Sequence, residues 1–219
     1  MTATNKKKLT YSLWSIVYLM LTIAIVVSAT SLFNNFYYES VYVSGSSMNP
    51  TFQGDGTSKP LGSDYGTIDK SSGAKHSIKR YQIVTTYYPN DPEDRDQTSY
   101  KIKRVIAKPG EKFKIEDNSL YIYNSKKGNA GWGNPIEMPF DRNLPTTPKS
   151  YPVTELDDDE YFLAGDNWAN SYDSFSVGPI EYDLLVGVVV KMQGRCTIKD
   201  GKVIEKETYA TRYFLGVDY

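Results

Sequence analysis

The segment Val43-Ser44-Gly45-Ser46-Ser47-Met48-Asn49-Pro50-Thr51 is a serine-rich turn that follows shortly after a long apolar run. Gly45 permits the tight backbone that such a turn needs, and Pro50 favours an extended conformation at Asn49. This geometry would display Ser47 on a constrained corner, where its hydroxyl could act as a nucleophile. On these residues alone, an ordinary turn before a strand is the more common interpretation.

The composition fits a short membrane segment followed by one globular domain. The chain has 219 residues, of which 40% are hydrophobic and 14% aromatic, and this is enough for a substantial core. Its 25 basic and 26 acidic residues leave a net charge of −1, so no nucleic-acid partner is expected. With one cysteine, Cys196, and one histidine, His76, the chain cannot form an internal disulfide or a Cys/His zinc site. We expect Cys196 to be a small buried hydrophobe.

An uncharged apolar segment, Leu9 to Phe33, is long enough to span a bilayer as one helix. Lysines occupy positions 6–8, whereas residues 34–47 contain no Lys or Arg. The positive-inside rule therefore predicts a cytoplasmic tail at 1–8, an anchor in the lipid bilayer and an external domain at 34–219. A cleaved signal peptide is the alternative, but this run exceeds the usual apolar core of about 7–15 residues.

The sequence after the anchor predicts a mainly β, antiparallel domain. Tyr161 to Ala164 is an apolar run of the kind found in buried strands, and Asp117-Asn118 and Asp200-Gly201 are typical of hairpin turns. Further β-branched, aromatic or alternating runs predict strands at 41–43, 83–88, 100–107, 112–115, 120–123, 186–192 and 197–204.

Three polar stretches lack a strand or helix pattern. Residues 53–77 are rich in Gly, Ser, Asp and Lys and predict a long mobile loop. Residues 124–151 contain repeated Gly and Pro and predict an inserted accessory region. The acidic run 157–160 lacks the spacing of a calcium-binding loop, so it predicts a solvated turn, and no metal site is expected.

The candidate base for Ser47 is a lysine. His76 lies in a polar stretch with nothing to orient its ring, which argues against a Ser-His-Asp triad. A lysine can activate a serine when burial lowers its pKa towards the working pH. Lys103 lies within a predicted β-strand and is the candidate, although a solvated charge beside Lys101 and Arg104 fits the same pattern.

Short polar side chains are concentrated in residues 165–174, GDNWANSYDS, directly after the apolar run at 161–164. They could form a turn network that supports the Ser/Lys pair. They could also be an ordinary loop, because Asn, Asp and Ser stabilise turns by bonding to the local backbone.

Three segments together resemble the ordered motifs of bacterial type I signal peptidases: 44–51 (SGSSMNPT), 100–110 (YKIKRVIAKPG) and 165–174. Their order, their spacing and the preceding anchor agree with that family. The resemblance implies a single N-terminal transmembrane helix followed by an antiparallel all-β catalytic domain with a smaller inserted region. It also implies a serine endopeptidase that removes signal peptides from exported preproteins at the outer face of the cytoplasmic membrane, without metal or cofactor.

The resemblance assigns a role to several residues. Ser47 matches the family nucleophile, Lys103 its general base, and Ser171 the serine that orients that lysine. The backbone N–H of Ser47 would contribute to the oxyanion hole. The side chains expected to support the site are Asp166, Asp173 and Arg104, and those expected to line shallow apolar pockets for small substrate residues are Val41, Val43 and Ile102.

The chain also departs from the family pattern. Phe175 stands where an arginine usually pairs with Asp173, Tyr81-Gln82 stand where Gly-Asp is usual, and Gly45 cannot supply the oxyanion-hole hydroxyl of some members. One alternative function is therefore a catalytically impaired homologue that acts as an assembly or binding factor. Another is a secreted β domain whose N-terminus is removed.

Overall fold

The computed structural model describes residues 3–54, 61–90, 98–125, 130–136, 149–200 and 202–214. The chain divides into two compact units, Met1–Glu39 and Ser40–Tyr219.

The first unit is formed by helix α1, Ala3–Tyr37. Its segment Tyr11–Tyr37, with a mean hydropathy of 2.3, is long and apolar enough to cross a membrane. The helix continues past Phe33, where the sequence predicted its end, because the next four residues include no proline or glycine to stop it. The predicted apolar helix is thus confirmed in type and extended in length.

The second unit consists mainly of antiparallel strands, as predicted. Two short α-helices, α2 (Ser72–His76) and α3 (Ser174–Val177), and two 3-10 helices, Trp168–Asn170 and Tyr182–Leu184, lie between them. The strands are β1 (Tyr38–Tyr42), β2 (Ser63–Asp69), β3 (Ile83–Pro89), β4 (Thr98–Ala107), β5 (Lys112–Glu116), β6 (Ser119–Asn124), β7 (Gly131–Trp132), β8 (Tyr151–Glu155), β9 (Glu160–Ala164), β10 (Ile180–Glu181), β11 (Leu185–Lys199) and β12 (Lys202–Tyr213).

Within the described residues, these strands form two sheets. The larger sheet has the order β1-β2-β11-β3-β4-β9-β10, with β12 paired to β11, and the smaller has the order β7-β6-β5-β8. A shared core of Phe113, Ile115, Leu120, Phe162 and Trp168 joins the smaller sheet to β9 and to the loop that follows it. This packing brings the polar segment 165–174 beside the large sheet.

The predicted hairpin turns agree with the backbone. Asp117 and Asn118 both have positive φ angles, 48° and 66°, as a two-residue turn between β5 and β6 requires. Asp200 likewise has φ 50° between β11 and β12, while Gly201 lies outside the described residues. β11 is one continuous strand where two were predicted, because a bulge between Met192 and Gly194 absorbs the break in the apolar pattern.

The prediction of a long loop at 53–77 is wrong for most of its length. β2 (Ser63–Asp69) is an internal strand between β1 and β11, and α2 follows it. The sequence signal was hidden because the strand carries a buried polar side chain, Asp64, which accepts a hydrogen bond from the Gln53 N–H at 2.9 Å. Residues 55–60 of the predicted loop lie outside the described residues.

Three further predictions for this unit concern Cys196, the acidic run and the inserted region. Cys196 is a free, buried cysteine, as expected, and Asp157, Asp158 and Asp159 form an exposed turn. Of the predicted inserted region at 124–151, residues 126–129 and 137–148 lie outside the described residues, and β7 lies between them.

Candidate active site

The serine-rich turn is anchored by two buried side chains. Met48 and Phe52 are 1% and 0% exposed, and the Phe52 N–H donates to the Met48 carbonyl at 2.9 Å. Gly45, at φ 84°, supplies the left-handed backbone that starts the turn. Ser47, just before Met48, is half-buried, so the turn holds its hydroxyl at a fixed place without closing it off.

Lys103 reaches this hydroxyl from the middle of β4. Its Nζ lies 2.8 Å from Ser47 Oγ, and the residue is only 2% exposed. Burial is the main reason why the pKa of Lys103 falls to about 8; Lys101 lowers it further, while Asp173 and Asp166 oppose the shift. A neutral Lys103 amine is therefore available near neutral pH, within hydrogen-bond distance of the candidate nucleophile.

The loop after β9 packs directly against the Ser47 backbone. The Asn167 N–H donates to the Ser47 carbonyl at 2.9 Å, and its side-chain amide donates to the Ser46 carbonyl at 3.1 Å. Asn170 donates its side-chain amide to Ser46 Oγ at 2.7 Å. A side chain at Gly165 would collide with the Ser47 carbonyl oxygen and with the Ser171 hydroxyl. Asn167 and Asn170 had no role in the sequence predictions; their only signal was the density of Asn in this segment.

Ser171 lies in this loop, close to Gly165. Its Oγ is buried and makes no hydrogen bond within the described part of the protein. The loop thus brings a buried, unpaired hydroxyl to the same region as Ser47. Its expected role in orienting Lys103 stays a prediction.

Arg104 and Asp166 form a buried two-point ion pair, with Nε–Oδ1 and Nη2–Oδ2 distances of 2.7 and 2.6 Å. Arg104 also donates to the Tyr81 carbonyl at 2.8 Å and to Thr51 Oγ1 at 3.4 Å. This arrangement ties β4 to the loop after β9 and to the end of the serine-rich turn. Tyr81 has φ 66°, a backbone conformation that favours glycine, which explains why a glycine suits this place in the family pattern.

Asp173 is completely buried and is held by backbone donors. The Gly165 N–H donates to Oδ2 at 2.9 Å, and the Phe175 N–H donates to Oδ1 at 3.2 Å, as an N-cap of α3. Both carboxylate oxygens are therefore satisfied without the arginine that Phe175 replaces.

Phe175 itself joins an aromatic cluster. Its ring centroid lies 4.9 Å from that of Trp168 and 5.3 Å from that of Phe162, both edge to face, and the Lys149 ammonium lies 4.8 Å from its centroid. The sequence showed that Phe175 replaces an arginine, but it did not show these ring contacts, because they depend on how the loop after β9 folds.

The three predicted pocket residues, Val41, Val43 and Ile102, are buried in one cluster with Met48. They therefore lie together beside the serine-rich turn, although their role in substrate binding stays a prediction. His76 is exposed and bonds to the Ser72 carbonyl at 2.7 Å and to the Tyr182 hydroxyl at 3.0 Å. Among the described residues, neither Ser47 nor Lys103 is a hydrogen-bond partner of this ring.

The chain is similar to proteins of one family. The family model described as signal peptidase, peptidase S26, matches residues 13–192. Signal peptidase I V of Bacillus subtilis strain 168 is 31% identical over 159 residues, covering 67% of this chain and 80% of the relative. Signal peptidase I T of the same organism is 30% identical over 186 residues, covering 84% and 85%.

A signal peptidase I crystal structure from Enterococcus faecalis V583 is 21% identical and covers 52% of this chain and 97% of the other. Its TM-score of 0.36 is too low to support a conclusion about the fold.

Proposed function

The chain belongs to the signal peptidase family, peptidase S26, and from this premise we propose that it cleaves signal peptides with a catalytic dyad of Ser47 and Lys103. As a signal peptidase it is a hydrolase whose substrates are preproteins that carry signal peptides. The observation that carries the dyad is the 2.8 Å distance between Lys103 Nζ and Ser47 Oγ, at a lysine that is 2% exposed.

The proposed reaction follows from this geometry. Neutral Lys103 accepts the Ser47 proton while Oγ attacks the scissile carbonyl carbon, and a tetrahedral intermediate forms. The lysine ammonium then gives the proton to the leaving amine, the peptide bond breaks, and an acyl-enzyme remains. In the second half Lys103 accepts a proton from a water molecule that attacks the acyl carbon, and then returns this proton to Ser47 Oγ as the ester bond breaks.

The surrounding groups have supporting roles in this proposal. The Ser47 N–H, which donates to no acceptor in the described part of the chain, would stabilise the oxyanion. Ser171 would orient Lys103, and the Arg104–Asp166 pair and Asp173 would hold the two loops in register. Val41, Val43 and Ile102 would accept small substrate side chains such as Ala.

Function at a membrane is part of the proposal. The apolar length of Tyr11–Tyr37 supports an anchor in the lipid bilayer, and the lysines at 6–8 support a cytoplasmic N-terminus with the catalytic unit outside. The alternative of a catalytically impaired assembly factor relied on Phe175. Asp173 has two backbone donors in place of an arginine, so Phe175 is not by itself a reason to expect an impaired enzyme.

The test is cleavage of a synthetic preprotein with an Ala-x-Ala site by the purified full chain in detergent. Ser47→Ala and Lys103→Arg should each lower kcat/KM by about 10³-fold or more, since arginine remains protonated and cannot act as a base. Ser46→Ala is the matched control and should retain a large part of the activity, because the Ser46 hydroxyl bonds to Asn170 and not to Lys103. Near wild-type cleavage by folded Lys103→Arg would exclude the dyad.

A further inference from the structure

β4 places two lysines on one face. Lys101 and Lys103 are two residues apart in this strand, so their side chains point the same way, with backbones about 7 Å apart. Lys101 pairs in register with Thr86 of β3 and Lys103 with Val84, neither of which carries a charge. Lys101 is half-buried, beside the almost fully buried Lys103.

The charge of Lys101 has no carboxylate partner among the residues that the structure describes. In the described part of the chain, no carboxylate forms an ion pair or a hydrogen bond with it. Its ammonium therefore acts on its surroundings as a whole positive charge, and the titratable group that shares its strand face is Lys103.

The charged groups that act on Lys103 come from two elements. Asp173 and Asp166 belong to the loop after β9, and Lys101 belongs to β4 itself. Asp166 is already paired with Arg104, whereas Asp173 is held by neutral backbone donors and keeps an uncompensated negative charge. A buried carboxylate near Lys103 favours the protonated lysine, which is the wrong form for a base.

We propose that Lys101 acts on the reaction through Lys103: its positive charge partly offsets the negative charge of Asp173, so the base is neutral at a lower pH than it would be without Lys101. This inference rests on the proposed Ser47/Lys103 dyad. The side chain bonded to Ser47 Oγ is that of Lys103, so Lys101 is a positioning residue that sets the protonation of the base and takes no proton itself.

The sign of each charge supports this role. The pKa of Lys103 is about 8; burial lowers it most, Lys101 lowers it as well, and Asp173 and Asp166 raise it. Since only the neutral amine can accept the Ser47 proton, kcat/KM should rise with pH through about 8. Removing the Lys101 charge must move this rise to higher pH.

The experiment is the pH profile of kcat/KM for Lys101→Gln, with Lys101→Arg as the charge-conserving control, both as full chains in detergent. For Lys101→Gln the acidic limb should move up by about half a pH unit, which lowers kcat/KM at pH 7 about three-fold and leaves the alkaline plateau unchanged. Lys101→Arg should retain the wild-type profile, and Lys101→Glu should move the limb further.

Two results would overturn the role of Lys101. One is an acidic limb at the wild-type position in Lys101→Gln. The other is an equal loss of kcat/KM at every pH, which indicates a packing or substrate contact instead. A failure of the dyad itself would give a different result from a failure of the Lys101 role. Ser47→Ala or Lys103→Arg would then cleave the preprotein, whatever the pH profile of the Lys101 variants.

Discussion

Lys103 is 2% exposed, and burying its ammonium group is unfavourable for folding. Its protonated form must give up water, and in return it donates a hydrogen bond to the Ser47 hydroxyl. A lysine in water has a pKa of 10.5, and in the folded protein the value is about 8. The site therefore gains a usable base at the expense of stability.

We predict that Lys103→Met stabilises the protein at pH 7 by roughly 1–3 kcal/mol while abolishing cleavage. Between pH 8 and 10.5 the unfolded wild-type chain binds more protons than the folded chain, so wild-type stability rises with pH across this window. The advantage of Lys103→Met should thus be largest below pH 8 and shrink towards pH 10.5.

Thermal unfolding in detergent at pH 7 and pH 10 would measure this difference. Lys101→Met is the control, since its half-buried side chain should yield a smaller change. Equal melting temperatures for wild type and Lys103→Met at both pH values would contradict a desolvated lysine.

At the level of elements, the loop after β9 packs directly against the backbone of the serine-rich turn. The contact is tight at Gly165, where an added side chain would collide with the Ser47 carbonyl oxygen and with the Ser171 hydroxyl. Backbone atoms cannot move aside as a flexible side chain does, so this contact sets the distance between Ser47 and the residues that support it.

We predict that Gly165→Ala lowers kcat/KM by about 10²-fold or more, because the added methyl group displaces Ser47 from Lys103. The melting temperature should fall as well. Gly73→Ala in α2 is the matched control: a Cβ there meets open space, and both activity and stability should be kept. Activity of Gly165→Ala close to wild type would mean that the two loops separate without consequence.

Asp173 joins three elements, since it caps α3, binds the first residue after β9 and acts electrostatically on Lys103 of β4. Asp173→Ala leaves the Gly165 N–H without its acceptor in a buried place and should destabilise the protein by about 1–3 kcal/mol. Asp173→Asn keeps one oxygen acceptor and removes the charge, so it should be less destabilising.

The pH profile tests the electrostatic part of this role. Because Asp173 raises the pKa of Lys103, Asp173→Asn should move the acidic limb of kcat/KM to lower pH, opposite to Lys101→Gln. An unchanged melting temperature and profile in both Asp173 variants would show that this carboxylate has no structural or electrostatic role.

At the level of the whole molecule, the central prediction concerns topology. Protease added to intact cells or right-side-out vesicles should digest the chain after residue 34 and spare the lysine-containing N-terminus, as the charge distribution around the apolar helix requires. An epitope tag at each end, followed by immunoblotting, would report the two fates. Vesicles of the opposite orientation are the control, and complete protection in the right-side-out sample would reverse the assigned topology.

Several parts of this protein could be predicted from local sequence pattern. The apolar run predicted a long helix because an uncharged segment of that length is typical of a membrane-spanning helix. The Asp117-Asn118 turn and the β-branched runs predicted β3, β4 and the β5–β6 hairpin. Ser47 and Lys103 were identified because three short motifs, in the right order, resemble one family.

Other features depend on contacts that form only when the chain folds. β2 was not predicted because its polar residues are not typical of an internal strand. Its buried Asp64 is tolerated since the Gln53 N–H and the Tyr209 hydroxyl donate hydrogen bonds to the carboxylate.

From the sequence, Phe175 indicated only the loss of an ion pair with Asp173. In the folded protein its ring packs against Trp168 and Phe162, and two backbone N–H groups donate to Asp173. The low pKa of Lys103 likewise has its origin mainly in burial, to which Lys101 adds and which Asp173 and Asp166 oppose. Such effects depend on distances between residues in the folded chain, which local sequence pattern does not contain.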